Sequence, residues 1–242
     1  MTIHSNVIAQ VFDATWTQLP KTFSGDSVKN LAEKLNTRKN EFESNADYNA
    51  RLEKLVTPHD YKYVLFCEEI PFKLDYDADA QEFIFSRKSY NAHIEVAKTS
   101  KEGKPYTGTN SFGVSKKIRK IEVHEYNLHD QEWQNDAGQA FKFPYPSIQA
   151  AALKSDLAVA LIIELAPHRH FGKSYNSMTS PFFTHSTYYS EPTISNPLDY
   201  MSHSYIITSN IRNIVLYKKS DRKILLITTP SKTKQSSTSP IQ

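Results

Sequence analysis

A chain of 242 residues with a formal net charge of +3 has room for one substantial core or two small ones. Hydrophobic residues at 39 % and charged residues at 23 %, with 12 Pro and 6 Gly, exclude a collagen-like or wholly disordered chain. The single cysteine, Cys67, excludes an internal disulfide and any metal site that needs two thiolates.

Met1 to Pro20 has no Lys or Arg and no unbroken apolar run, so no signal peptide is expected and the cytoplasm is the default compartment. From Ser27 to Arg38, Val28, Leu31, Ala32 and Leu35 recur at helical spacing behind Ser27 as N-cap. A second helix is expected from about Ala46 to Val56, capped by Ser44 or Asn45 and stopped before Pro58. After Pro58 the period becomes two. Tyr61 to Phe66 reads as a strand, and Phe72 to Tyr76 with Phe83 to Phe85 as a hairpin turning on Asp77 and Asp79. Ile118 to Tyr126 is a further strand, Ser147 to Lys154 a short helix, and Leu157 to Leu165 a strand buried on both faces. That nine-residue run is too short to span a bilayer as a helix, so no membrane span is expected. Ala166 to Ser204 mixes Pro, His and aromatic residues without a period and reads as a long loop wrapping the sheet. Ile211 to Tyr217 and Ile224 to Thr229 form a closing hairpin, and residues 231–242 form a disordered tail behind a single domain, 1–230. The expected fold is therefore α+β: two N-terminal helices packed on a largely antiparallel sheet, with a long aromatic loop and a C-terminal hairpin.

Few residues assemble into a chemical motif. Gly108 and Gly113 lack the lysine of a phosphate loop, and Asp75, Asp77 and Asp79 lack the glycine and distal glutamate of a calcium loop. His124 and His129 are five apart, which on a helix does not place both rings on one face, and the alternation around them favours a strand. There is no nucleophile elbow, and Cys67 sits in an apolar strand pattern as packing. The weak metal candidates are His168 and His170, two apart in extended chain, with His185 or His203 as a third ligand.

The stretch Lys98 to Lys120 carries Lys98, Lys101, Lys104, Lys116, Lys117, Arg119 and Lys120 against Glu102 alone, with Tyr106 and Phe112 interleaved. Such a stretch can bind single-stranded nucleic acid. The favoured reading is a solvated face balanced by the acidic run Glu68 to Glu82, so nucleic acid is not expected as a partner. Phe182, Phe183, Tyr188 and Tyr189 stand two by two, and in extended chain one member of each pair points inward and the other outward. The outward members make these four the candidate surface for binding another protein.

Glu41-Phe42-Glu43-Ser44 with Tyr48 and Arg51-Leu52, then Tyr76-Asp77-Ala78-Asp79, Asn110-Ser111-Phe112-Gly113, and Pro192-Thr193-Ile194 with Asn196-Pro197 resembles a group of uncharacterised bacterial proteins. Many of these carry an export or lipoprotein leader, so the resemblance implies an envelope location; it implies no activity and no catalytic residue. The sequence thus points to a non-enzymatic binding or interaction module with no cofactor. The alternatives are a metal-dependent hydrolase built on His168, His170 and His185, and a single-strand binder acting through Lys98 to Lys120.

Overall fold

The computed structural model describes residues 12–21, 23, 25–36, 39–56, 63–87, 93–130, 141–166 and 182–230. Along the chain these form α1 (Val28–Leu35), α2 (Asn45–Val56), β1 (Tyr63–Phe66), β2 (Phe72–Asp77), β3 (Glu82–Arg87), β4 (His93–Thr109) and β5 (Ser115–Asp130). They continue with β6 (Phe141–Pro144), α3 (Ser147–Asp156), β7 (Leu157–Leu165), β8 (Phe183–Ser190), β9 (Leu198–Lys218) and β10 (Ile224–Thr228).

The local signals of the first half act as expected. Ser27 Oγ accepts from the Asn30 amide at the start of α1, and Ser44 Oγ accepts from the Asp47 amide at the start of α2. Asp77 Oδ1 accepts from the Asp79 and Ala80 amides and closes the β2–β3 hairpin, which leaves this acidic turn a structural one.

The architecture differs from an α+β fold of two helices on an antiparallel sheet. Among the described residues the chain is mostly β, with a mixed seven-stranded sheet ordered β1-β7-β9-β5-β4, to which β8 and β10 add by pairing with β9, and a three-stranded sheet β2-β3-β6. The expected aromatic loop, Ala166 to Ser204, contains β8 and the start of β9, while residues 167–181 lie outside the described residues. The reason lies in composition. Hydrophobic alternation marks a strand only where one face is buried, and β8 after Phe183 and the distal part of β4 are Ser, Thr, Tyr, His, Lys, Glu, Gly and Pro with both faces largely exposed.

β9 is the spine of the large sheet. Its first half runs parallel to β5 from Leu198 to Ser209 and antiparallel to β8, and its second half pairs with β7 and β10. Between the halves Ile163 pairs with Ile211 but Ile162 with Asn213, so Arg212 is an extra residue and the inward-facing parity switches. Ile207 and Ile211 face the main core before this bulge, Ile214 and Leu216 after it. The buried Asp130 carboxylate, at the end of β5, accepts from the Ile211 amide at 2.7 Å.

β7 is buried from Leu157 to Ile163 because both faces of the sheet are covered there. Leu157, Val159, Leu161 and Ile163 meet α1, α3 and the aromatic small sheet of Phe72, Phe83 and Phe85. Ala160 and Ile162 meet Leu19 and Phe23 of the N-terminal segment. At the other end β4 and β5 outgrow the sheet. β5 first meets β9 at Arg119, so from Tyr106 to Ile118 the two strands form a free-standing ribbon among the described residues. None of the described helices is long and apolar enough to cross a membrane.

Candidate metal centre

The main-core face of β5, β9 and β8 does not end where the apolar residues end. From Leu128, Ile207 and Phe183 it continues outward through Tyr126, Tyr205 and His185, then His124, His203 and Thr187, and then Glu122. The parallel register sets His124 opposite His203 and Tyr126 opposite Tyr205, and the antiparallel register sets His185 opposite Tyr205 and Thr187 opposite His203. Alternation then puts all of these side chains on one face.

The rings stack. Tyr126 and Tyr205 lie with centroids 4.9 Å apart, His185 and Tyr205 at 4.6 Å with 3° between planes, and His124 and His203 at 4.7 Å with 17° between planes. Lys29 of α1 lies over the Tyr126 ring at 5.9 Å, so the helix covers the inner end of the stack and leaves the imidazole end half-exposed. Burial, with nearby carboxylates and, for Tyr205, the Tyr126 phenol adding, pushes the Tyr126 and Tyr205 hydroxyls up from their ordinary values and keeps both neutral.

At the outer end three ligand atoms converge. His124 Nε2 is 3.2 Å and His203 Nε2 3.5 Å from the same Glu122 Oε1, and the three ligand groups lie within 4.8 Å of one another. These are hydrogen-bond and ion-pair distances, and they also match the roughly 3.4 Å that separates ligand atoms held at 2.0–2.2 Å by a tetrahedral ion. The other nitrogen of each ring is also engaged: His124 Nδ1 with the Tyr205 hydroxyl at 3.1 Å, His203 Nδ1 with Thr187 Oγ1 at 3.2 Å and His185 Nε2 at 3.3 Å. Hydroxyls donate or accept, so Tyr205 and Thr187 can follow whichever tautomer the rings adopt.

Of the metal candidates read from sequence, His185 stands behind His203 as its neighbour, His203 is one of the converging residues, and His168 and His170 lie outside the described residues. The sequence pairs His124 only with His129, five positions on, and gives Glu122 no role. The signal was present: Glu-x-His in a strand puts both side chains on one side, the argument applied to His168 and His170.

The four aromatics are not brought together as one surface. Phe182 and Phe183 are both buried, whereas Tyr188 and Tyr189 are 63 % and 49 % exposed, so neither pair divides into one inward and one outward member. Phe182 precedes β8, where strand alternation is not yet in force, and Tyr188 and Tyr189 lie where neither sheet face is covered. Tyr188 packs beside Tyr200, and Tyr189 hydrogen-bonds Asp199, which also accepts from the Tyr106 hydroxyl.

The basic stretch lies on the β4–β5 ribbon, and the acidic run Glu68 to Glu82 does not neutralise it. Glu68 pairs with Lys29, and Asp75 and Glu82 sit in the small sheet with Lys73 and Lys142. Only Lys98, with Glu125, and Arg119, with Glu102, have ion-pair partners in the stretch among the described residues. Comparison of the chain with known protein families, with curated protein sequences and with solved structures finds no match.

Proposed function

We propose that this chain is a binding module that holds one divalent transition-metal ion between β5 and β9, through Glu122, His124 and His203. The observation that carries this reading is the convergence of two imidazole nitrogens on a single carboxylate oxygen, at 3.2 and 3.5 Å. Two imidazoles and a carboxylate suit zinc or iron-like ions better than calcium or magnesium, which take oxygen ligands. The hydrogen-bonded far nitrogens supply the orienting partners that metal-bound histidines usually have. The site is half-exposed at Glu122 and His124, so one side of the ion stays open to water or to a ligand.

Cobalt(II) titration of untagged protein tests the reading. One equivalent is expected to bind with visible absorption of a low-coordinate nitrogen and oxygen site, and saturating zinc at a hundred times its Kd is expected to stabilise the fold by about 2.7 kcal/mol. His203→Ala and His124→Ala are each expected to weaken binding at least tenfold. Cobalt binding that is unchanged in the double variant, or absent from the folded wild type, overturns the reading and leaves the stack as core packing carried to the surface.

A further inference from the structure

Lys116 and Lys117 stand on the free β4–β5 ribbon, Lys104 beside it, and Lys101 and Lys120 where β5 already pairs with β9, none with an ion-pair partner among the described residues; Glu102 is taken by Arg119, and Glu122 stands opposite Lys101. β4 is an edge strand, and a bulge with an extra residue at Lys104-Pro105 blunts it as edges commonly are. Edge protection favours lysine and accounts for Lys101 and Lys104 of β4, but not for Lys116, Lys117 and Lys120, which stand on β5. Nor is the tip a frayed end. Asn110 Oδ1 accepts from the Phe112 and Val114 amides, Gly113 takes the left-handed φ of +79° that the turn requires, and Phe112 is held outward at 88 % exposure. Lys120 lies flat across Gly103, where a Cβ would meet its stem at 3.2 Å.

The spread of charge selects the partner. Strands rise about 3.3 Å per residue, which puts Lys120 roughly 20 Å and Lys101, opposite Glu122, roughly 30 Å behind the tip. A flat anionic surface met by the tip attracts charges within a Debye length of about 8 Å, so it leaves both unused. A rod of phosphates lying along the ribbon uses all five. Alternation sends Lys116 and Lys120 to one face and Lys117 to the other, as two phosphate walls require, and the major groove of B-DNA admits a two-stranded ribbon. A single strand needs a row of stacking platforms, and the ribbon itself offers two exposed rings, Phe112 at the tip and Tyr106, whose hydroxyl is held by Asp199.

We infer that the β4–β5 arm lies lengthwise in the major groove of double-stranded DNA, its two faces toward the phosphate walls and its five unpaired lysines spread along the phosphates. The inference does not rest on the metal reading, and its assay is run with EDTA present.

Fluorescence anisotropy of the full chain with a labelled 20-base-pair duplex, between 50 and 200 mM salt, is expected to give a slope of log affinity against log salt of about −4.5, near 0.9 per lysine. Replacing all five lysines by Gln is expected to remove most of the slope and at least tenfold in affinity at 50 mM salt, with the melting temperature unchanged. Lys116→Gln with Lys117→Gln alone is expected to reduce the slope by about 2, which decides the matter if the fivefold variant fails to fold. Phe112→Ala is expected to weaken binding several-fold at unchanged slope. An RNA duplex, whose major groove is too narrow for a ribbon, is expected to bind more weakly. Wild-type affinity in the lysine variants, no loss in Phe112→Ala, equal or tighter binding of single strands or of the RNA duplex, or capture by phosphatidylserine vesicles in place of DNA overturns the inference.

Discussion

Glu43 shows how one pair of side chains fixes a turn against a helix. Arg51 of α2 reaches back eight residues to Glu43 with two bonds of 2.8 Å, Nε to Oε1 and Nη2 to Oε2, and its guanidinium lies 5.2 Å from the Tyr48 ring centroid. The bidentate Arg51, helped by the Asn40 amide, holds the Glu43 carboxyl down at about 2, against an ordinary 4.5. A depressed carboxyl stabilises the fold fully above pH 4.5 and loses that contribution as pH falls toward 2. Carbon-13 titration of Glu43 should therefore give a midpoint near 2 that returns toward 4.5 in Arg51→Gln; a wild-type midpoint already in the ordinary range would show that the pair does not form. These residues, Glu43, Tyr48 and Arg51, belong to a motif that the sequence displays without explanation, and the contact gives it a physical cause. Glu122 and His203 are the opposite case: 81 positions apart, they share an oxygen-to-nitrogen contact that no local pattern announces.

Among the elements, β7 was fully legible. Its apolar run Leu157 to Ile163, ended by Glu164, can only be satisfied by cover on both faces, and it receives it. Leu161, wholly buried at the centre of that strand, is expected to cost about 2–5 kcal/mol when replaced by Ala, through lost transfer energy and a cavity, as measured by denaturant unfolding. A cost below about 0.5 kcal/mol would mean the neighbours collapse onto the site or the strand is not central. β8 shows the limit of the same reading. Thr184-His185-Ser186-Thr187-Tyr188-Tyr189 has no apolar period because neither of its faces is deeply covered, and it becomes a strand by pairing with β9. The bulge at Arg212 is equally invisible in sequence, since the run Ile211 to Leu216 reads as one strand whether or not its parity switches midway.

At the scale of the molecule, the N-terminal segment closes the second face of the sheet. The Leu19 amide donates to Arg222 O at 2.9 Å and the Ile224 amide to Thr17 O at 2.9 Å, so residues 17–19 run beside the β9–β10 turn, more than 200 positions away. Trp16 and Phe23 meet edge to face at 5.2 Å, and Leu19 is 1 % exposed against Val64, Ala160, Ile162 and Val215. Leu19→Ala is therefore expected to destabilise the whole domain by about 2–5 kcal/mol and to raise amide exchange in β10 as well as in β7. If exchange rises only near Leu19 itself, the segment is an independent flap and not part of the cooperative unit.

Sequence alone determined what depends on neighbours in the chain: the α1 cap at Ser27, an α2 cap at Ser44 or Asn45 that the structure places at Ser44, the Asp77 turn, the buried β7, and the closing hairpin of β9 and β10. Each of these follows from periodicity or from a side chain bonding its own backbone within a few residues. Only the tertiary structure decided that the chain is mostly β, that β5 and β9 run parallel, and that Glu122, His124 and His203 meet. Strand pairing joins backbone groups that are distant in sequence, and it is satisfied equally well by polar side chains, so composition carries no record of it.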